Sequence, residues 1–235
     1  MTPFLSVLTS VVAWVGTLLA VASVAVIGPA RLREAWNGLR DRIREARLAV
    51  ALVCVVLLAS AVGRSSLLDV SRLFGLQATA LIYELEGEFV AWFQATFATP
   101  ALTAYFSWVY VYGYAFLLAF PVVAYLALPR TTTIRRVLVA YALNYAIGLA
   151  LYTVVFAHGP RNVMPDTVTP LLFATRPDVM ALTSEVNVNS NVFPSLHTSL
   201  AVTVGTFAVL TRDEYPRWTP VAVWLSLSVV VATMY

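Results

Sequence analysis

Six apolar runs, at residues 4–28, 48–63, 101–128, 137–157, 196–211 and 219–235, set the limits within which this chain can fold. In hydrocarbon every backbone polar group must pair within the protein, so runs of this kind predict helices. Composition excludes an ordinary soluble domain: 60% of the residues are hydrophobic, 11% are charged and the mean hydropathy is +0.81. The expected fold is all-α, a polytopic transmembrane bundle of about six spans with interfacial amphipathic helices, forming a single membrane domain over residues 1–235. The second and fifth runs fall short of the roughly 20 residues a span needs. They are expected to draw on flanking residues such as Arg47 and Arg64, whose long side chains reach the interface. The first run has no basic residue ahead of it and exceeds a signal-peptide core, which makes it a retained span.

No lysine occurs, so the net charge of +3 rests on arginine alone and lysine-based mechanisms are excluded. Arg31, Arg33, Arg40, Arg42, Arg44 and Arg47 follow the first run, Arg130, Arg135 and Arg136 the third, and Arg212 and Arg217 the fifth. The positive-inside rule places these alternate loops in the cytoplasm. The N-terminus, residues 64–99 and the 158–194 loop are then extracytoplasmic, in a multi-pass protein integral to the cell membrane. Cys54 is the only cysteine and lies in an apolar run, so neither a disulfide framework nor a thiolate metal cluster is expected.

Two connecting segments have amphipathic spacing. Between residues 31 and 47, Leu32, Trp36, Leu39 and Ile43 oppose an arginine-rich face, which suits a helix on the anionic inner leaflet or an ordinary linker helix. On the other side, Ile82, Leu85, Phe89, Trp92 and Phe93 form a stripe beside Glu84, Glu86 and Glu88. Such a stripe either roofs a lipid-facing site or packs on the bundle, and packing is the expectation.

The chemistry concentrates where Asn187-Val188-Asn189-Ser190-Asn191-Val192-Phe193-Pro194-Ser195-Leu196-His197-Thr198-Ser199 runs into the fifth span. Pro194 and Ser195 suit the opening of a helix, whose first-turn amides and positive dipole end attract phosphate. His197 falls in that turn, where an imidazole can protonate a departing oxygen while the Ser195 hydroxyl and the amides hold phosphate oxygens. The alternative is a Ser195 cap followed by a histidine that only hydrogen-bonds a neighbouring helix. Arg161, in His158-Gly159-Pro160-Arg161 at the end of the fourth run, could clamp phosphate with two parallel hydrogen bonds or snorkel to headgroups. Arg176 is a weaker candidate, and His158 is read as a headgroup-level residue. Asp166, Asp178 and Glu185 lack ligand spacing and no Gly-rich nucleotide loop occurs, so no metal, cofactor or nucleic-acid partner is expected.

Pro194-Ser195-Leu196-His197 at the outer start of a span, with Gly-Pro-Arg about 35 residues earlier at the end of the previous one, resembles the type 2 phosphatidic acid phosphatase superfamily. The resemblance runs from about Val137 to the end, with a phosphatase-like core over about 101–235. Leu196 within the motif is similar to the branch typified by inositol phosphorylceramide synthase. Three signatures meet at one membrane face in that superfamily. The resemblance implies that Ser195 contacts phosphate, that His197 is the catalytic acid and that Arg161 stands for the first signature, although it follows its proline and no lysine accompanies it. The implied substrate is a lipid phosphate among membrane lipids, handled by a phosphatase or phosphotransferase. A headgroup transferase and a non-catalytic membrane protein are the rivals. The third signature, with a nucleophilic histidine and its aspartate, would fall just beyond Tyr235, and no histidine follows His197. The expectation is a chain cut on its C-terminal side and inert alone.

Overall fold

The computed structural model describes residues 3–172 and 191–235. Its architecture is an all-α bundle. α1 (Pro3–Ala22) runs into a π turn (Ser23–Ile27), followed by α2 (Pro29–Asn37) and α3 (Leu39–Phe74). Two short helices, α4 (Thr79–Glu86) and α5 (Phe89–Phe97), lead to α6 (Pro100–Trp108), a second π turn (Val109–Gly113) and α7 (Tyr114–Leu126). α8 (Thr132–Val154) and α9 (Pro160–Val163) precede α10 (Leu196–Leu210) and α11 (Trp218–Ala232). The segments Leu5–Ile27, Leu39–Gly63, Pro100–Leu126 and Thr132–Val154 are each long and apolar enough to cross a membrane, and α10 and α11 are shorter apolar helices. One parallel bridge, β1 (Leu76–Gln77) on β2 (Val155–Phe156), joins the ends of α3 and α8.

The second run takes in its flanking residues Arg47 and Arg64 as expected, and α3 extends beyond both. α3 begins at Leu39, so the 31–47 segment is split: Gly38 ends α2, its N–H bonded to the Glu34 carbonyl at 3.1 Å, and the rest joins the second span. Arg42 turns from the arginine face to donate to the Leu126 carbonyl at 3.1 Å and to that of Leu128. A helix leaves its last carbonyls unpaired with the negative dipole end beside them, and a guanidinium satisfies both needs. Arg217 does the same for the π turn that follows α1, donating to the Ala25 carbonyl at 3.1 Å. The stripe at 82–93 is also not one helix, because Gly87 takes a φ of 55°, a region open to glycine at little cost, between α4 and α5.

The core lies among α7, α8, α10 and α11. Phe116, Leu117, Phe120, Tyr125, Ile134, Val137, Leu200, Val204, Trp218 and Val229 are buried there. Gly205 lets α11 approach: a Cβ at that position would stand 2.9 Å from Ser226 Oγ, whose hydroxyl donates to the Ala201 carbonyl at 2.7 Å. Small residues and a buried hydroxyl are the usual means of close helix contact in lipid. Outward rows such as Val12, Val21, Leu48, Leu58 and Val62 remain exposed. At the arginine end, burial pushes the Tyr215 hydroxyl above the usual phenol range, with Arg31 pulling it back. The hydroxyl stays a donor to the Ala124 carbonyl, at 2.7 Å.

Candidate active site

The site is assembled by the chain between α8 and α9 and the residues that enter α10. Asn191 is buried and ties them together. Its side-chain oxygen accepts from the Ala157 N–H at 3.2 Å and the Phe193 N–H at 3.3 Å, while its amide donates to the carbonyls of Tyr152 at 3.2 Å and Val155 at 2.7 Å. The Val192 N–H adds a bond to the Ala157 carbonyl at 3.1 Å. Val192 then presses on Gly159, where a Cβ would stand 3.1 Å from its Cγ1. α4 is attached to the same segment by Ala78 N–H to the Phe156 carbonyl at 2.9 Å and by His158 N–H to Thr79 Oγ1 at 3.1 Å.

α10 opens on Ser195, whose Oγ accepts from the Thr198 N–H at 3.3 Å. Pro194 therefore stands ahead of the cap instead of in the first turn. Capping does not use up the hydroxyl, since its proton remains available to donate to a phosphate oxygen. Leu196, the motif's middle residue, fits against α8 because Gly148 has no side chain: a Cβ there would stand 2.6 Å from Leu196 Cδ2. One turn further, Asn144 of α8 accepts from the Ser199 hydroxyl and donates to Thr203 Oγ1 at 3.1 Å.

These elements enclose a cavity of about 850 Å³. Arg161, Ser195 and His197, all half-buried, line it together, and so does His158. Ile82, Leu85, Phe89 and Val90 from α4 and α5 form an apolar wall, so one part of the stripe borders the site, with Leu85 at 79% exposure, while Phe93 packs on the bundle against Phe106, Leu172 and Tyr235 as expected. Asp166 lies outside the lining, and Arg176, Asp178, Glu185 and Asn187 to Ser190 fall outside the described residues. Among the described residues no group of three or more His, Cys, Asp or Glu is placed to hold a metal ion.

Sequence reasoning missed four contributors. Gln94 of α5 is 6% exposed; it accepts from the Thr169 N–H at 3.1 Å and donates to the carbonyls of Thr169 at 3.2 Å and Met234 at 3.0 Å. Tyr235 donates its hydroxyl to the Phe97 carbonyl at 2.7 Å, so α5 holds the C-terminal end of α11 against the cavity. Tyr110 and Tyr114 lie against the His197 ring. A buried amide amid apolar residues was the available signal for Gln94, and two tyrosines four apart was the signal for the pair.

Comparison with known families decides what this arrangement is. The model described as PAP2 superfamily, the type 2 phosphatidic acid phosphatase group, matches residues 79–235, two-thirds of the chain. The chain belongs to the PAP2 superfamily. The PAP2 match starts at Thr79, well ahead of Val137, and so takes in α4 and α5 as well as the Pro-Ser-Leu-His motif. Membership supports phosphatase-type activity on a lipid phosphate in general terms. No curated protein and no solved structure matches the chain.

Proposed function

We propose that this PAP2 protein binds a lipid phosphate at the extracytoplasmic face, with Arg161 and Ser195 holding phosphate oxygens and His197 serving as the acid. The observation that carries the reading is the shared cavity: a guanidinium, a hydroxyl and an imidazole line it on one side and α4 and α5 supply an apolar wall on the other. A phosphate monoester with an alkyl chain matches both halves, since bidentate guanidinium bonds suit phosphate and an apolar wall suits the chain. The arginine-bearing loops lie at the opposite ends of the same helices, and the positive-inside rule places them in the cytoplasm.

In the histidine chemistry that the superfamily resemblance implies, a nucleophilic imidazole bonds to phosphorus as the bond to the alcohol oxygen breaks. His197 gives its proton to that oxygen, and water or another alcohol then takes the phosphoryl group. Arg161, Ser195 and the first-turn amides of α10 hold the charge that builds on the remaining oxygens. Leu196 in the motif keeps a second reading in view, headgroup transfer of the inositol phosphorylceramide synthase type.

The test places the protein in liposomes with a lipid phosphate labelled on phosphorus. These 235 residues are expected to bind the label and release none. Release that is lost in His197→Ala would overturn the expected lack of turnover and support the acid role. Label moving into a new lipid would favour headgroup transfer. Binding that is absent, or equally tight in Arg161→Ala, would overturn the proposal.

A further inference from the structure

Tyr110 sits in the π turn of the third span and Tyr114 opens α7, so the two are four residues apart and share a face. A π turn is rare, and single turns of this kind recur at functional sites. Here it brings both rings onto the imidazole of His197. Their centroids stand 4.6 and 4.5 Å from the imidazole centroid, with interplanar angles of 14° and 34°. The Tyr110 ring stacks on the imidazole and the Tyr114 ring is tilted against it, neither being the T-shaped pair that meets an edge. The face of an aromatic ring is its electron-rich side, which attracts a cation, while a neutral imidazole gains only stacking from the same contact.

We propose that Tyr110 and Tyr114 are positioning residues for His197, two aromatic faces that fix the plane of the imidazole and favour its protonated form. The inference rests on the acid role proposed for His197, because an acid must carry its proton before the leaving oxygen departs. Other charged and titratable side chains line the same cavity among the described residues: Tyr83 and Glu86 on α4, Tyr152 on α8, His158 and Arg161 around α9, and Tyr235 after α11. A carboxylate in the cavity favours the charge and a guanidinium opposes it, and the test alters neither.

The chain has two histidines, so histidine-labelled protein in lipid nanodiscs gives two imidazole signals, which His158→Gln assigns. Tyr110→Leu and Tyr114→Leu should each lower the midpoint of the His197 titration by about half a pH unit, while the matching phenylalanine variants keep it. An unchanged melting temperature shows that the fold is retained, and Tyr110→Met carries the test if the leucine variant does not fold. Midpoints unmoved by loss of either ring would overturn the proposal, as would a phenylalanine variant that shifts as far as leucine. Lipid phosphate binding is followed on the same samples. A shifted midpoint without any binding keeps the aromatic assignment and overturns the function, whereas binding with an unmoved midpoint does the reverse.

Discussion

Asn191 shows how much a single amide can decide. It answers four backbone groups at once, and through them brings the Arg161 segment beside the Ser195 cap. Asn191→Leu keeps the volume and strands those groups, so it should cost about 2–3 kcal/mol of stability, read as a lower melting temperature in detergent. It should also weaken phosphate binding, because the Arg161 segment would lose its tie to the Ser195 cap. A melting temperature equal to that of the unaltered protein would contradict the role. His197 and Arg161 stood out in the sequence because each brings chemistry that an apolar chain has little structural need for, and Ser195 because it marks the helix start that it caps. For Asn191 and Gln94 the sequence marks a polar side chain in apolar company but not its role, because their partners are backbone atoms, which no residue pattern records.

At the scale of elements, helices were legible wherever apolar residues ran long enough, and their ends were legible where a cap residue marked them. Thr99 accepts from the Leu102 N–H at 3.3 Å ahead of Pro100, and Ser195 does the same for α10. The joining of the 39–47 stretch to the second span was not legible, because arginines read as a boundary while Arg42 instead reaches the end of α7. The break at Gly87 turns one expected amphipathic helix into α4 and α5, and these border the cavity. If their wall holds an alkyl chain, replacing Leu85 and Phe89 together by serine should weaken binding of a long-chain lipid phosphate by about tenfold, given the apolar area lost. Binding of a short-chain analogue should be unchanged. Equal losses for both ligands would mean that α4 and α5 act only as structure.

Over the whole molecule, the bundle has two chemically different ends. α8 and α11 start among arginines and finish at the cavity, while α10 runs from Ser195 at the cavity to Arg212. The proposed orientation predicts that, in a Cys54→Ser background, Asn162→Cys reacts with a membrane-impermeant maleimide on intact cells and Asp213→Cys reacts only after lysis. The reverse pattern would move the cavity to the cytoplasm and remove the case for an extracytoplasmic substrate. Composition made the bundle legible, and arginine placement supplies the orientation that this labelling tests. The enclosure of the site was not, because it depends on α5 reaching Thr169 and Met234, far away in sequence. The central claim is that the cavity holds a lipid phosphate through Arg161, and equilibrium binding of a long-chain phosphate monoester to the unaltered protein and to Arg161→Ala tests it most directly. Loss of a charge-assisted pair should weaken binding by about tenfold or more; equal affinity in the two proteins would contradict the claim.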